Sequence, residues 1–178
     1  MLNPIPSEVD VAVIGAGSAG LPAFRAAREH TDRVILIERG PHGTTCARVG
    51  CMPSKLLIAA AEAAHGMEIA PGFGIHPGSI SIDGEAVMER VRRERDRFVG
   101  FVLDGVDRID PEQKISGQAR FVEDSRLEIG NSQVRAGRVV IASGTSPAIP
   151  DFLEDVRDRV SVNDDVFEWK TLPESVAV

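Results

Sequence analysis

Three short apolar runs along the chain have the pattern of buried strands. They are Val9–Ile14, Arg33–Glu38 and Arg138–Ala142, and each is rich in β-branched residues. Such runs are typical of parallel strands that are covered on both faces of a sheet. The alanine-rich segment Leu21–Glu29 predicts a helix between the first two runs. The chain therefore begins with a βαβ unit, whose connection makes its two strands parallel.

Two longer segments repeat apolar residues at helical spacing. Pro53–Ala64 is largely apolar, with a proline suited to the first turn of a helix. Asp83 has the side chain of an N-cap residue, and an amphipathic pattern follows it to about Ile109. The basic run Arg90–Arg97 within this pattern is interleaved with acidic residues, and we expect it to form a solvated helix face.

Short alternating segments follow the long helix and predict a small antiparallel β-meander. They are separated by Asp-Ser and Gly-Asn-Ser turn signals, and they comprise Ile115–Phe121, Arg126–Ile129 and Gln133–Val134. The predicted fold class is α/β, a Rossmann-like parallel sheet with an antiparallel meander. Beyond Pro150 charge increases and periodicity fades, so Asp151–Ser175 is predicted to be a connector. The final Val176–Val178 has the pattern of a strand that is beginning.

Composition narrows the possible partners and location. The 178 residues carry 20 Lys and Arg against 27 Asp and Glu, a net charge of −7, which argues against nucleic-acid or membrane-surface binding. No apolar stretch approaches the roughly 18 residues of a membrane span, and the first residues do not have the pattern of a signal peptide. We therefore expect a cytoplasmic protein. In a reducing compartment, the two cysteines Cys46 and Cys51 are expected to be catalytic, redox-active or metal-binding.

A glycine-rich loop lies between the first strand and the first helix. Gly15, Gly17 and Gly20 form G-x-G-x-x-G, and Glu38 ends the next predicted strand. This arrangement lets a pyrophosphate approach the backbone at a helix N-terminus, while the acid accepts hydrogen bonds from ribose hydroxyls. An acid at this position disfavours a 2′-phosphate, so the pattern indicates FAD or NAD rather than NADP. The alternative is a plain tight turn with a solvated glutamate.

Cys46 and Cys51 are close enough in sequence for redox chemistry. A disulfide between them would close a loop of about six residues and would stabilise the fold by only about 2 kcal/mol, so stability is a poor reason for it. Cys51 lies near the start of the helix opened by Pro53, where the helix dipole and Lys55 favour a reactive thiolate. A dithiol of this kind suits electron transfer by thiol–disulfide exchange.

Two other interpretations of the cysteines stay open at this point. In the first, both thiols are inert and the chain is a non-catalytic nucleotide-binding module. In the second, His42, Cys46 and Cys51 bind zinc, although a fourth ligand at the usual spacing is missing. Lys55 alone would be an ordinary solvated lysine.

The segment Gly43–Lys55 resembles the redox-disulfide signature of the flavin-dependent pyridine nucleotide-disulfide oxidoreductases. Within that family, its Pro-Ser-Lys ending is most similar to dihydrolipoamide dehydrogenases and mercuric reductases. The glycine loop with Glu38, and the segments Gly117–Phe121 and Ile141–Gly144, match the family in the same order. The chain departs from the family at Thr44, where glycine is usual, and at Arg48, where asparagine is common. Ser143 also stands where the family usually has threonine, and Thr145 where it usually has serine.

The resemblance implies that the bound nucleotide is FAD and assigns roles to individual residues. Cys46 would be the outer thiol that meets substrate, Cys51 the inner thiol that forms a charge-transfer pair with the flavin, and Lys55 the residue that tunes the flavin. These three are the expected catalytic residues. The residues expected to bind the cofactor are Gly15, Gly17, Ser18, Ala19, Gly20, Glu38, Arg39, Thr45, Gly50, Cys51, Lys55, Ala119, Ala142, Ser143 and Gly144.

The resemblance also implies a function for a longer enzyme of which this chain would be the N-terminal part. Residues 1–150 would form the FAD-binding domain, and residues 151–178 a connector and the first strand of an NAD(P)-binding domain. The enzyme would pass electrons between NAD(P)H and a dithiol or disulfide substrate through FAD and the cysteine pair, as in dihydrolipoamide dehydrogenase. A mercuric reductase-like or other flavin disulfide reductase is the alternative, so lipoamide, a small disulfide and mercuric ion are all candidate substrates. We expect the longer enzyme to be a homodimer, and this portion alone to be inactive in turnover.

Overall fold

The computed structural model describes residues 5–178 and divides into two compact units. The sheet unit consists of the described residues up to Thr45 together with Gly100–Ser146. The cysteine unit consists of Cys46–Val99 and Pro147–Val178.

The sheet unit contains six strands. They are β1 (Glu8–Ile14), β2 (Val34–Glu38), β3 (Lys114–Ser116), β4 (Ala119–Glu123), β5 (Arg126–Ile129) and β6 (Ser132–Ile141). Their order across the sheet is β3-β2-β1-β6-β5-β4. The neighbouring pairs β1–β2, β1–β6 and β2–β3 are parallel, whereas β4–β5 and β5–β6 are antiparallel. This mixed α/β sheet confirms the predicted fold class, a Rossmann-like parallel sheet with a meander.

The structure corrects two details of the predicted meander. Gln133–Val134 and Arg138–Ala142 were expected to be separate strands, but β6 runs through both. Its first part pairs with β5 and its second part pairs with β1, so one strand belongs to both the meander and the parallel sheet. The predicted strand Ile115–Phe121 is instead broken at Gly117, whose φ is +157°. A Cβ at Gly117 would lie 2.7 Å from the Cγ2 of Ile129.

Each face of the parallel sheet has its own core. On one face, Ala12, Ile35 and Ile37 pack with buried residues of the meander, including Leu127 and Val134. On the other face, the core contains residues of β1 and β2 together with helical residues, namely Val13, Val34, Leu36, Leu21, Phe24 and Val106. Burial on both faces explains why β1 and β2 are continuous apolar runs in the sequence.

Five α-helices and two 3₁₀ segments complete the described structure. The helices are α1 (Gly20–Arg28), α2 (Thr45–Val49), α3 (Cys51–Ile69), α4 (Gly84–Asp107) and α5 (Asn163–Val166), and the 3₁₀ segments are Ala70–Phe73 and Asp151–Arg159. The first helix, α1, connects β1 to β2, and the long α4 contributes residues to both units. The backbone N–H of Ala86 donates to the Asp83 carboxylate over 3.0 Å, which confirms the predicted N-cap of α4.

The sequence predicted that the basic run on α4 is solvated, but in the structure part of this run is buried. Arg95 is only 9% exposed, and its guanidinium donates to the carboxylates of Asp96 and Glu168 and to the carbonyl oxygen of Phe167. Arg92 donates to the carbonyl oxygen of Trp169. The predicted connector is therefore attached to α4 through its segment 167–169. Residues 171–178 form neither helix nor strand, so the strand predicted at Val176–Val178 is not observed.

Candidate functional site

The carboxyl ends of three parallel strands meet at one edge of the sheet unit. Ile14, the last residue of β1, pairs with Ile37 of β2 and with Ile141 of β6. The residues just beyond these strand ends therefore lie near one another. They are the glycine loop after β1, Glu38 at the end of β2, and Ala142 to Gly144 after β6. In open α/β sheets, this edge is where ligands bind.

The three glycines of the loop have different surroundings. Gly15 has a φ of +101°, and a Cβ on it would lie 2.2 Å from the carbonyl oxygen of Ala142. A Cβ on Gly20 would lie 1.7 Å from the carbonyl oxygen of Gly15. By contrast, a Cβ on Gly17 would have no atom of residues 5–178 within 4 Å other than those of Gly17 itself and its two chain neighbours. The first and third glycines are thus required for packing, while the second leaves the backbone open to a ligand.

Glu38 is hydrogen-bonded to the glycine loop. Its Oε2 accepts from the backbone N–H of Ala16 over 2.7 Å, and its Oε1 accepts from that of Gly40 over 2.8 Å. The Glu38 carbonyl oxygen also accepts from the N–H of Gly117 over 2.9 Å. Ala119 begins β4 two residues later. The structure thus brings Glu38 and the glycine loop together and places the segment of Ala119 close to the end of β2.

The other residues predicted to bind the cofactor in this unit are on its surface. Ser18 and Ala19 are exposed just before α1, and Arg39 is exposed just after β2. Ser143 and Gly144 are exposed after β6. Thr45, the first residue of α2, is also exposed. The open space at Gly17, the packed glycines beside it and the carboxylate at the end of β2 together fit a nucleotide with a pyrophosphate and a ribose, as in FAD.

Cys46 and Cys51 lie on two helices that are separated by Gly50. Cys46 is on α2 and is half-buried, whereas Cys51 is the first residue of α3 and is exposed. Both cysteines are free in this structure, and Cys51 lies close enough to affect the pKa of Cys46.

The surroundings of Cys46 raise the pKa of its thiol above the usual value. Interaction with the Cys51 side chain, burial, and the negative charge of an ionised Cys51 raise this pKa, whereas a hydrogen bond with the Cys51 backbone and the charge of Lys55 lower it. Lys55 is exposed and lies four residues after Cys51 in the first turns of α3.

The backbone between the two cysteines is held by side chains at two successive carbonyl oxygens. The N–H and Oγ–H of Ser54 donate to the carbonyl oxygen of Gly50 over 3.1 and 2.7 Å. The amide Nδ2 of Asn163 donates to the carbonyl oxygen of Val49 over 3.1 Å. Sequence reasoning missed Asn163, because it lies 114 positions from Val49 in a segment with no regular periodicity.

The approach to the cysteines contains an unusual backbone conformation. Thr44 has a φ of +61°, in the left-handed region that β-branched residues rarely adopt, and Gly43 has a φ of +116°. The resemblance places a glycine where Thr44 stands, and glycine adopts this conformation without strain. A non-glycine residue in this conformation lowers the stability of the fold by about 1–3 kcal/mol, so the backbone is strained at Thr44.

Two further properties bear on the alternatives. Within residues 5–178, no group of three or more His, Cys, Asp or Glu side chains is arranged to hold a metal ion, so the structure lends no support to the proposed zinc site of His42, Cys46 and Cys51. In the same range, no helix combines the length and the apolar character needed to cross a bilayer.

Sequence comparison gives the family to which these features belong. The family described as "Pyridine nucleotide-disulphide oxidoreductase" matches residues 9–178, almost the whole chain. The chain therefore belongs to the pyridine nucleotide-disulphide oxidoreductase family.

Two similar proteins are named a mercuric reductase and a glutathione reductase. A mercuric reductase of Streptomyces lividans is 34% identical over 95% of this chain and 37% of its own length. A glutathione reductase of Burkholderia cepacia is 30% identical over 96% of this chain and 37% of its own length. The chain thus spans about a third of the length of these relatives. The expected specific likeness to dihydrolipoamide dehydrogenase is not supported by them.

A solved structure shares the fold. The HOCl-induced flavoprotein disulfide reductase RclA from Escherichia coli matches with a TM-score of 0.61 over 80% of this chain and 29% of that chain. The sequence identity is 21%, so the match concerns the fold alone.

Proposed function

We propose that this chain is the flavin- and dithiol-bearing part of an FAD-dependent oxidoreductase that passes electrons between NAD(P)H and a substrate through Cys46 and Cys51. The observation that carries the proposal is the placement of the two free cysteines, Cys46 on α2 and Cys51 at the start of α3, with only Gly50 between the two helices. Family membership and the nucleotide-compatible glycine loop support it. Inert thiols in a nucleotide-binding module would not need this arrangement.

The residues of the sheet unit would hold FAD in this proposal. The backbone around Gly17 would face the pyrophosphate, the start of α1 would stabilise its negative charge, and Glu38 would accept from ribose hydroxyls. Ser18, Ala19, Arg39, Ala119 and the residues from Ala142 to Gly144 are proposed to line the same nucleotide. When bound, FAD supplies two-electron chemistry that links a hydride donor to a thiol couple.

The residues of the cysteine unit would carry the thiol chemistry. The pair is oxidised when each sulfur loses one hydrogen and a bond forms between them, so two electrons and two protons leave together. By resemblance to the family, Cys51 is proposed as the inner thiol that exchanges electrons with the flavin. Cys46 is proposed as the thiol that meets substrate, and Lys55 as the residue that tunes the flavin. Thr45 and Gly50 are proposed to contact FAD by resemblance.

The proposed substrate class contains compounds that react with a pair of thiols. The names of the relatives, mercuric reductase and glutathione reductase, favour a thiol-binding metal ion or a disulfide. Only the Pro-Ser-Lys ending of the cysteine segment supports a function like that of dihydrolipoamide dehydrogenase. Arg48 adds a positive charge to α2 between the two cysteines, which favours an anionic disulfide over a neutral one. A homodimeric assembly and a cytoplasmic location stay predictions.

A two-part experiment tests the proposal on the 178-residue chain. Equilibrium dialysis should find one FAD bound per chain. In buffers with varied ratios of reduced to oxidised glutathione, alkylation and mass spectrometry should show a reversible intramolecular Cys46–Cys51 disulfide. Thiols that stay reduced at every ratio, together with FAD binding, would instead identify a non-catalytic nucleotide-binding module. Failure to bind FAD would remove the flavin part of the proposal.

A further inference from the structure

The connector forms a hydrogen bond with the backbone between the two cysteines through Asn163. Asn163 is the first residue of α5, and its amide nitrogen donates to the carbonyl oxygen of Val49 over 3.1 Å and to the Oδ1 of Asp164 over 2.8 Å. Val49 is the last residue of α2, and its carbonyl oxygen is one of those that a helix end leaves without an intrahelical partner. Both residues belong to the cysteine unit.

The segment that carries Asn163 is itself anchored. Asp165 accepts from the backbone N–H of Val162 over 3.0 Å, which closes the first turn of α5. Phe167 is buried with only 4% of its surface exposed. Just beyond α5, Arg95 donates to the Phe167 carbonyl oxygen and to Glu168, and Arg92 donates to the Trp169 carbonyl oxygen. The Asn163 amide is therefore presented by a segment that is fixed to α4.

The hydrogen bond from Asn163 to Val49 restrains the backbone between Cys46 and Cys51, and the conformation of this backbone sets the distance between the two thiols. Five peptide bonds separate Cys46 from Cys51, and the chain changes direction between α2 and α3 at Gly50. The Gly50 carbonyl oxygen is held by Ser54, a residue of α3 itself, so that bond moves with α3. The Val49 carbonyl oxygen is held from outside both helices. Loss of this second bond would let α2 and α3 move relative to each other at Gly50.

We propose that Asn163 is a positioning residue for the Cys46–Cys51 couple: by holding the Val49 carbonyl oxygen, it restrains the backbone between the two thiols and so favours formation of the disulfide. This inference rests on the proposed redox function of the pair. A restrained dithiol loses less freedom when the sulfur–sulfur bond forms, which raises the effective concentration of one thiol at the other. Asn163 touches neither substrate nor FAD in this role.

The test compares the thiol–disulfide equilibrium of variants in glutathione buffers. In the reaction, one oxidised glutathione takes the two hydrogens of the dithiol and becomes two reduced glutathione molecules. Asn163→Asp keeps the size of the side chain but removes the N–H donor, and Asn163→Ala removes the side chain. In both variants the equilibrium constant for disulfide formation should fall about 3- to 10-fold, which corresponds to a rise in reduction potential of about 15–30 mV. Asn163→Gln, which retains a donor, should fall less.

A matched control separates this effect from a change of charge. Asn131→Asp makes the same replacement at an exposed asparagine in the turn between β5 and β6 of the sheet unit, and it should leave the equilibrium constant unchanged. Because Asn163 is exposed, its variants are expected to fold, and circular dichroism with Trp169 fluorescence checks this for each.

The outcomes distinguish this inference from the proposed function. If the wild-type chain forms the disulfide and both Asn163→Asp and Asn163→Ala stay within twofold of it, the positioning role is wrong while the redox function stands. If Asn163→Asp alone shifts the equilibrium, its added charge is responsible, and the positioning role is again wrong. If the wild-type chain forms no disulfide at any glutathione ratio, the proposed redox function fails and the inference fails with it.

Discussion

The carboxylate of Glu38 accepts a hydrogen bond from the backbone N–H of Ala16 over 2.7 Å, so the acid at the end of β2 is tied to the glycine loop after β1. One side chain therefore both shapes the loop and presents a carboxylate where a ribose would bind. Glu38→Ala should weaken FAD binding roughly 10- to 100-fold, because a charged acceptor is lost, and should lower the free energy of unfolding by about 1 kcal/mol.

Glu38→Gln provides the control for this prediction. The glutamine oxygen can still accept from Ala16 but carries no charge, so its unfolding free energy should stay closer to that of the wild type than the alanine variant's. Dialysis of FAD and urea titration measure the two effects. An alanine variant that binds FAD as tightly as the wild type would show that Glu38 does not contact the nucleotide.

The glycine loop offers a second pair of variants with opposite expectations. Gly17→Ala should leave the free energy of unfolding within about 1 kcal/mol of the wild type, since its Cβ meets no described atom within 4 Å beyond those of its chain neighbours, but it should weaken FAD binding at least about tenfold. Gly20→Ala should destabilise the fold by about 3 kcal/mol or more, because its Cβ would lie 1.7 Å from the Gly15 carbonyl oxygen. Equal FAD affinity in Gly17→Ala and the wild type would contradict the assignment of the pyrophosphate to this loop.

The two thiols should react with an alkylating reagent at different rates. In the reduced chain at pH 7, iodoacetamide should modify exposed Cys51 faster than half-buried Cys46. Because the pKa of Cys46 is raised, its modification rate should increase only at higher pH than in the same chain unfolded in urea. Peptide mass spectrometry after timed quenching measures both rates.

The raised pKa of Cys46 also has a consequence for stability. The folded state holds the Cys46 proton more tightly than the unfolded state, so the contribution of this proton to stability is present at neutral pH and is lost as pH rises through the folded pKa.

Equal alkylation rates for the two thiols, with the same pH dependence as in the unfolded chain, would contradict the proposed difference between the thiols.

Arg95 should stabilise the connector locally. Arg95→Ala removes a buried guanidinium that reaches Phe167 and Glu168, and it should lower the free energy of unfolding of this region by about 1–3 kcal/mol. Trp169 is the only tryptophan and the chain has no tyrosine, so its fluorescence reports on this segment directly. The Trp169 transition in urea should move to lower concentration.

The control for Arg95 is a nearby arginine on the same helix. Arg93 is 62% exposed and pairs only loosely with Glu94, at 3.4 Å, so Arg93→Ala should leave the Trp169 transition almost unchanged. If both variants shift the transition equally, the buried contacts of Arg95 are not what holds the connector.

The sequence was sufficient for those parts of the fold and site that depend on local pattern. The strands β1 and β2 are buried on both faces and so read as apolar runs, and the glycine loop and cysteine pair occupy short contiguous segments. The continuity of β6 was not predictable, because Gly137 interrupts the apolar pattern at a position where a Cβ would lie 3.1 Å from the carbonyl oxygen of Asp10.

Long-range contacts account for most of what the sequence could not reveal. Arg95 meets Glu168 across 73 positions, and Asn163 meets Val49 across 114. No periodicity links such distant residues, and a buried arginine looks the same in sequence as its exposed neighbours. Only the folded chain shows that the connector is held by α4 and reaches the backbone between the cysteines.

The absorbance of the FAD-loaded chain after anaerobic reduction by two electrons reports whether the cysteine pair exchanges electrons with bound FAD. The wild-type chain should develop a long-wavelength band from a thiolate that donates to oxidised flavin. Cys51→Ser should abolish the band, whereas Cys46→Ser should show it without reduction, because its single thiol is already free. A wild-type chain with no such band, or a band that survives in Cys51→Ser, would contradict the account.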